Sequence, residues 1–204
     1  MFRRVLIANR GEIALRILRA CRSLGIEVAI VYGQEDRLSM PVRFADEGVF
    51  IPHADPLASY LDIEAIVSAA KEIGADAVHP GYGFLAENPT FAERLAEEGI
   101  TFIGPSPDIL RALGDKITAR KVMVKAGLPV AKGTDGPISD SSEAISMATE
   151  IGFPVIIKAA AGGGGIGMQV VESADEFEAA LRLCQGRALS AFGDERVFLE
   201  KFIE

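Results

Sequence analysis

The chain has 204 residues, enough for one large domain or two small ones with a substantial core and without metal or disulfide staples. Its composition, 49% hydrophobic and 25% charged, is that of an ordinary globular protein, and its apolar runs are too short to span a bilayer. A formal net charge of −8 argues against a protein that grips nucleic acid backbone, which needs clustered Lys and Arg.

The first residues, Met-Phe-Arg-Arg-Val-Leu-Ile-Ala-Asn, run too soon into Arg10 and Glu12 to be a secretory leader, so a cytosolic location is expected. Val5 to Ala8 reads as a strand. After Asn9, Ile13, Ile17, Leu18 and Cys21 repeat at helical spacing, and Gly25 stops that helix. A buried strand at Val28 to Val31, a helix from Tyr60 to Ile73, a strand at Asp76 to Val78, a helix from Pro89 to Glu98 and a strand at Thr101 to Ile103 follow. Strands alternating with amphipathic helices predict a doubly wound parallel sheet, an α/β fold with helices on both faces. Asn9-Arg10-Gly11, His79-Pro80-Gly81-Tyr82-Gly83 and Gly104-Pro105-Ser106-Pro107 each follow a strand, so these loops share one sheet edge, where sites in such folds lie.

After Pro107 the pattern changes. Helices near Ile109 to Leu113 and Lys116 to Ala126 have no strand between them, and a Gly/Pro/Ser/Asp-rich stretch covers 133–142. Then come a helix (Glu143 to Ile151), a strand (Pro154 to Ala159), a glycine run, a strand (Met168 to Val171), a helix (Ala174 to Leu189) and a strand (Val197 to Phe202). Two strands joined through glycines, with a helix on one face, predict a small α+β lid. Cys21 and Cys184 lie far apart in helical surroundings and are read as packing residues.

Gly162-Gly163-Gly164-Gly165-Ile166-Gly167 matches G-x-G-x-x-G, but a dinucleotide-binding turn must open a helix, and Met168-Gln169-Val170-Val171 has strand composition. The glycines are therefore expected in a hairpin whose backbone N–H groups can lie over a polyphosphate, with Lys158 at the end of the incoming strand adding positive charge. Lys116, in Gly114-Asp115-Lys116-Ile117, starts a helix where a phosphate is also favoured. Phe198-Leu199-Glu200-Lys201-Phe202-Ile203-Glu204 ends a hydrophobic strand in charges, suited to an adenine held by main-chain groups and apolar side chains. No Walker A sequence occurs. His53 and His79 receive no catalytic role, and Arg16 and Arg19 read as a solvated helix face.

Ala8-Asn9-Arg10-Gly11-Glu12-Ile13-Ala14, His79 through Asn88 (HPGYGFLAEN), Phe102-Ile103-Gly104-Pro105, Gly114-Asp115-Lys116 and Ile157-Lys158-Ala159-Ala160-Ala161 with its glycines resemble the biotin carboxylases, in the same order and along the whole chain. The resemblance implies a sheet domain preceding an ATP-grasp fold (1–113), a helical connector (114–132) and an incomplete ATP-grasp lid (133–204). It further implies that ATP and bicarbonate yield carboxyphosphate and that the carboxyl group passes to biotin on a carrier protein or domain. A carboxyltransferase would then act as a further partner, and the full-length form would be able to form a homodimer. Neither nucleic acid nor membrane is expected as a partner.

Carried onto matching positions, Lys116 and Lys158 would hold the ATP phosphates and Gly162, Gly163, Gly164, Gly165 and Gly167 would close over them. Met168 would pack on adenine, main-chain groups of Glu200 and Ile203 would read its edge with Lys201 beside it, and Tyr82, Gly83 and Glu87 would line the biotin pocket. Ile166 and Gln169 stand where many relatives carry basic residues. The family's magnesium-binding carboxylates (Mg2+ or Mn2+), bicarbonate site, general base and biotin-side arginine fall beyond the position matching Glu204. No catalytic or metal-binding residue is therefore expected within the chain, and the chain alone is expected to be inactive. Rival readings are another ATP-grasp ligase, a non-catalytic nucleotide-binding or assembly module, and an NAD-binding domain motivated by the glycine match alone.

Overall fold

Strands that are apolar on both faces belong inside a parallel sheet, and Arg4–Ile7 (β1) and Glu27–Tyr32 (β2) occupy that position in the computed structural model. The structure describes every residue except Pro56, Ser139, Asp140, Gly162, Gly163, Gly164 and Glu204. It falls into two compact units, 1–110 and 111–204.

In the first unit β1 and β2 are joined by Glu47–Phe50 (β3), Ala77–His79 (β4) and Thr101–Phe102 (β5) in the order β3-β2-β1-β4-β5, every pairing parallel. The helices are Gly11–Ser23 (α1), Met40–Phe44 (α2), Ile63–Glu72 (α3) and Pro89–Glu97 (α4). Strand alternation sends Val5 and Ile7, with Val28 and Ile30, to one face, where Ala14, Ile17, Leu18 and Cys21 of α1 cover them. Leu6 and Ala8, with Ala29, Val31 and Val78, face the other way and pack on Ile66 of α3 and on Phe91 and Leu95 of α4. Helices thus lie on both faces of the parallel sheet, the doubly wound arrangement predicted from the sequence.

Besides two single-turn 3-10 helices, Gln34–Asp36 and Ala58–Tyr60, two elements escaped the sequence reading. β3, Glu-Gly-Val-Phe, is an exposed edge strand without an apolar run, and α2 is a five-residue helix too short for a period to show. The helix expected from Tyr60 begins later, because Asp62 caps it by accepting the Ala65 N–H at 2.9 Å.

The strand order reverses between β1 and β4, and the loops that follow these two strands meet there. Asn9, 2% exposed, joins them: Nδ2 donates to the carbonyls of Pro80 (2.7 Å) and Tyr82 (2.8 Å), and Oδ1 accepts the Arg10 N–H (2.8 Å). Gly81 is required beside it, since its φ is +67° and a Cβ there would sit 2.7 Å from Asn9 Nδ2. Arg10 continues into a second polar cluster, with Nε and a terminal nitrogen on Asp36 at 2.6 and 2.9 Å, and Tyr60 donates its hydroxyl to the same carboxylate at 2.8 Å. Burial, followed by the bond to Asp36, pushes the Tyr60 phenol up to about 12.

Pro107–Gly114 (α5) carries the chain across the division. The second unit holds Lys116–Lys125 (α6), Ser141–Ile151 (α7), Val155–Ala159 (β6), Met168–Val171 (β7), Ala174–Phe192 (α8) and Val197–Lys201 (β8). Its sheet is antiparallel, ordered β7-β6-β8, with Val155, Ile157, Val171, Val197 and Leu199 buried against Phe177, Leu181 and Cys184 of α8 and Ala144 and Ala148 of α7. The outer edge of β8 is covered by the stretch after Lys132: Lys201 N–H donates to the Lys132 carbonyl (2.6 Å), Thr134 N–H to Leu199 (3.0 Å) and Ile138 N–H to Val197 (2.9 Å). Among the described residues no helix is long and apolar enough to cross a membrane.

The loop at β4 yields two testable consequences. His79 Nδ1 accepts the Gly81 N–H at 3.1 Å, and burial holds the imidazole below its ordinary pKa. The unfolded chain therefore binds this proton more tightly than the folded one, so the stability contribution is full above about pH 6.5 and is lost as pH falls toward the lower folded value. Thermal unfolding followed from about pH 7 to about pH 5 should show a falling midpoint, and His79→Asn, which retains an acceptor, should flatten that slope. Asn9→Asp replaces two donated hydrogen bonds by an acceptor facing two carbonyls, and urea unfolding should show a loss of about 3 kcal/mol.

Candidate functional site

The register of the small sheet assembles a row of side chains across its strands. Lys158 of β6 is directly opposite Met168 of β7 and Phe198 of β8, and in the next row Ile156 is opposite Val170 and Glu200. Val155, Ile157 and Ala159 are buried on the α7/α8 side, so strand alternation places Lys158, Met168, Phe198 and Glu200 together on the opposite face. There α6 packs through Ile117 against Ala160 and Phe198. Asp115 caps α6 by accepting the Thr118 N–H at 2.8 Å, and the Lys116 N–H donates to the Ala160 carbonyl at 3.3 Å, fixing the start of the helix beside the end of β6.

Between α6 and this face lies a cleft of ≈ 400 Å³ whose lining includes Lys116, Arg120, Met123, Lys158, Met168 and Phe198, with Glu200 at its wall. Glu200 is engaged by two cations, since Oε2 accepts from the Lys158 ammonium and Oε1 lies 3.4 Å from Arg120 Nη1. Among the described lining residues, Lys116, Arg120, Lys158 and Glu200 lie beside a thioether and an aromatic ring, a pocket suited to a ligand with a polyanionic end and a flat apolar end. Arg120 drew no separate notice in the sequence, although its spacing of four from Lys116 on one helix put both on the same face.

The other residues singled out in the sequence are distributed as follows. Gly165 and Gly167 have φ of +82° and +73°, and the Gly167 carbonyl accepts the Ala159 N–H at 3.0 Å; Gly162, Gly163 and Gly164 lie outside the described residues. Leu199 and Lys201 turn their main-chain groups toward 132–134, so the alternate residue Glu200 turns its own N–H and C=O to Ile156 of β6. The side chain of Glu200, and not its main chain, is what reaches the cleft. Lys201 points its ammonium away, donating to the carbonyls of Gly152 (3.0 Å), Phe153 (2.9 Å) and Pro154 (3.2 Å). Ile203, 73% exposed, borders a separate hollow with Pro154, Lys201 and Phe202.

In the first unit, Tyr82 is 62% exposed at the carboxyl edge of the sheet, on the loop that Asn9 and His79 hold from beneath. Gly83 (φ +67°) and Phe84 (φ +42°) turn the chain toward Glu87 and the Asn88-Pro89 cap of α4, where Asn88 Oδ1 accepts the Phe91 N–H at 3.1 Å.

Residues 115–204, which hold the antiparallel sheet, match the family model of the carbamoyl-phosphate synthase L chain, ATP binding domain. Residues 1–110 match the model of the biotin carboxylase, N-terminal domain, and the chain belongs to that family. To the biotin carboxylase of Pseudomonas aeruginosa it is 51% identical over its whole length, covering 45% of that protein. To the biotin carboxylase of Haemophilus influenzae it is 50% identical, again over its whole length, covering 46%. The chain thus spans less than half the length of these curated relatives. Among solved structures, the biotin carboxylase domain dimer of Hydrogenobacter thermophilus 2-oxoglutarate carboxylase, in complex with MgADP, ADP and bicarbonate, superimposes with a TM-score of 0.95 at 46% identity over all of this chain and 45% of that one.

The carbonyl cage around Lys201 has a measurable consequence. Lys201→Met removes a charged donor from three carbonyls, and thermal or urea unfolding should register a loss of roughly 1–3 kcal/mol.

Proposed function

We propose that the polypeptide carrying this chain is a biotin carboxylase, and that the cleft between α6 and the small sheet is its nucleotide site. ATP and bicarbonate would supply the chemistry, an activated carboxyphosphate from which biotin on a carrier protein is carboxylated. The observation that carries this reading is the row Met168–Lys158–Phe198: a cation between two apolar side chains, in a chain of this family, next to a helix that begins at Lys116.

In this reading Lys116 and Lys158 hold the phosphates, and Gly162 through Gly167 cover them and exclude water, which protects a hydrolysable intermediate. Neutralising and positioning the phosphates is most of what phosphoryl transfer asks of a protein. Met168 packs on the base. The chain just past β8 reads its edge through the main chain of Ile203, with Lys201 beside it, while the main chain of Glu200 stays paired with Ile156. Tyr82, Gly83 and Glu87 line the approach of biotin. A carboxyltransferase as partner, a homodimer like that of the Hydrogenobacter domain and a cytoplasmic location complete the proposal. Among the described residues no group of three or more His, Cys, Asp or Glu side chains is arranged to hold a metal.

Biotin-dependent ATP turnover in the complete polypeptide tests the reading. Lys158→Ala should lower kcat/KM for ATP by about 100-fold or more, the scale of losing one charge-stabilising group in a phosphoryl or acyl transfer site. Nucleotide binding without biotin-dependent turnover would leave a non-catalytic module, and turnover driven by an amine acceptor in place of biotin would indicate a different ligase.

A further inference from the structure

Arg120 is a cleft cation whose donors are poorly used among the described residues. Its side chain is 11% exposed, Nε is buried without a hydrogen-bond partner among those residues, and its contact with Glu200 is a single long one of 3.4 Å. Glu200, with its side chain 18% exposed, is meanwhile paired on its other oxygen with Lys158. A buried guanidinium nitrogen without an acceptor is unfavourable, and it leaves a donor that another state of the site can employ.

A second state follows from the charges. When a polyphosphate enters the cleft, it draws the Lys158 ammonium from Glu200 toward itself, and a half-buried carboxylate is left facing a polyanion. An uncompensated charge in that setting opposes binding. Arg120 is already in place and has donors in reserve: with both Glu200 oxygens free of Lys158, the planar guanidinium can close onto the carboxylate as a bidentate pair.

We propose that Arg120 is a positioning residue that takes over Glu200 when Lys158 transfers to the nucleotide phosphates, so that the carboxylate alternates between two cations and is compensated in both states. The inference rests on the reading of this cleft as a nucleotide site. Without Arg120, Glu200 retains Lys158 and repels phosphate; without the charge on Glu200, Arg120 has nothing to compensate.

A double-mutant cycle on the complete polypeptide tests this, with ADP and ATP affinities from calorimetry, the KM for ATP from turnover and a thermal midpoint for every variant. Arg120→Met should weaken ATP binding about tenfold or more, the value of one charge-assisted hydrogen bond, whereas Arg120→Lys, which keeps the charge but not the bidentate fork, should recover only part of the loss. In the Glu200→Gln background the same Arg120→Met change should alter affinity less than about threefold, because the coupling it breaks is already absent. Equal loss in both backgrounds, in step with a lowered midpoint, would show a merely structural arginine and overturn the proposal, as would unchanged affinity in Arg120→Met. Wild-type protein that binds no nucleotide, or binds it equally well after Lys158→Ala, would instead overturn the reading of the cleft itself and the proposal with it.

Discussion

The register of a three-stranded antiparallel sheet governs the candidate site. With Lys158 opposite Met168 and Phe198, every second residue of β6 and β8 faces the helices and every other one faces the cleft. A slip of one residue would bury Lys158 among Phe177, Leu181 and Cys184 and expose Ile157 and Leu199 instead. The apolar positions fix that choice, since Val155, Ile157, Val197 and Leu199 are fully buried. Site geometry and core packing are therefore two faces of one constraint.

The carboxyl edge of the parallel sheet is organised differently, by hydrogen bonds. Loops carry peptide groups that a sheet ladder no longer satisfies, and at the reversal of strand order one buried amide, Asn9, takes up three of them. Asn is suited to this because it has both donors and an acceptor. Gly81 is its complement, small enough to admit the amide and free to adopt a positive φ. Asn9 is buried at the reversal of strand order, and the cations of the cleft lie in the second unit.

Much of this was readable in the residues. Alternating strand and helix periods gave all four inner and outer strands of the first unit that have apolar runs, while β3 and α2 went unseen because an exposed edge strand and a five-residue helix carry no period. Lys116 and Lys158 were recognisable from the helix start and the glycine-flanked strand end. Arg120 and Asn9 were not. Nothing local distinguishes an arginine in the second turn of a helix from a solvated one, or a buried amide from a turn residue.

By itself the sequence determined the parallel α/β sheet and the two strands that flank the glycine run, because these depend on short-range periodicity. Partnership was decided only by tertiary structure. It alone set Glu200 between Lys158 and Arg120, turned Lys201 from the cleft to three backbone carbonyls and placed Asn9 under the Tyr82 loop. Each of these joins side chains and carbonyls brought together by strand register or by a crossover. Charge and hydrogen-bond energy depend on separation in space, which the order of residues alone does not contain.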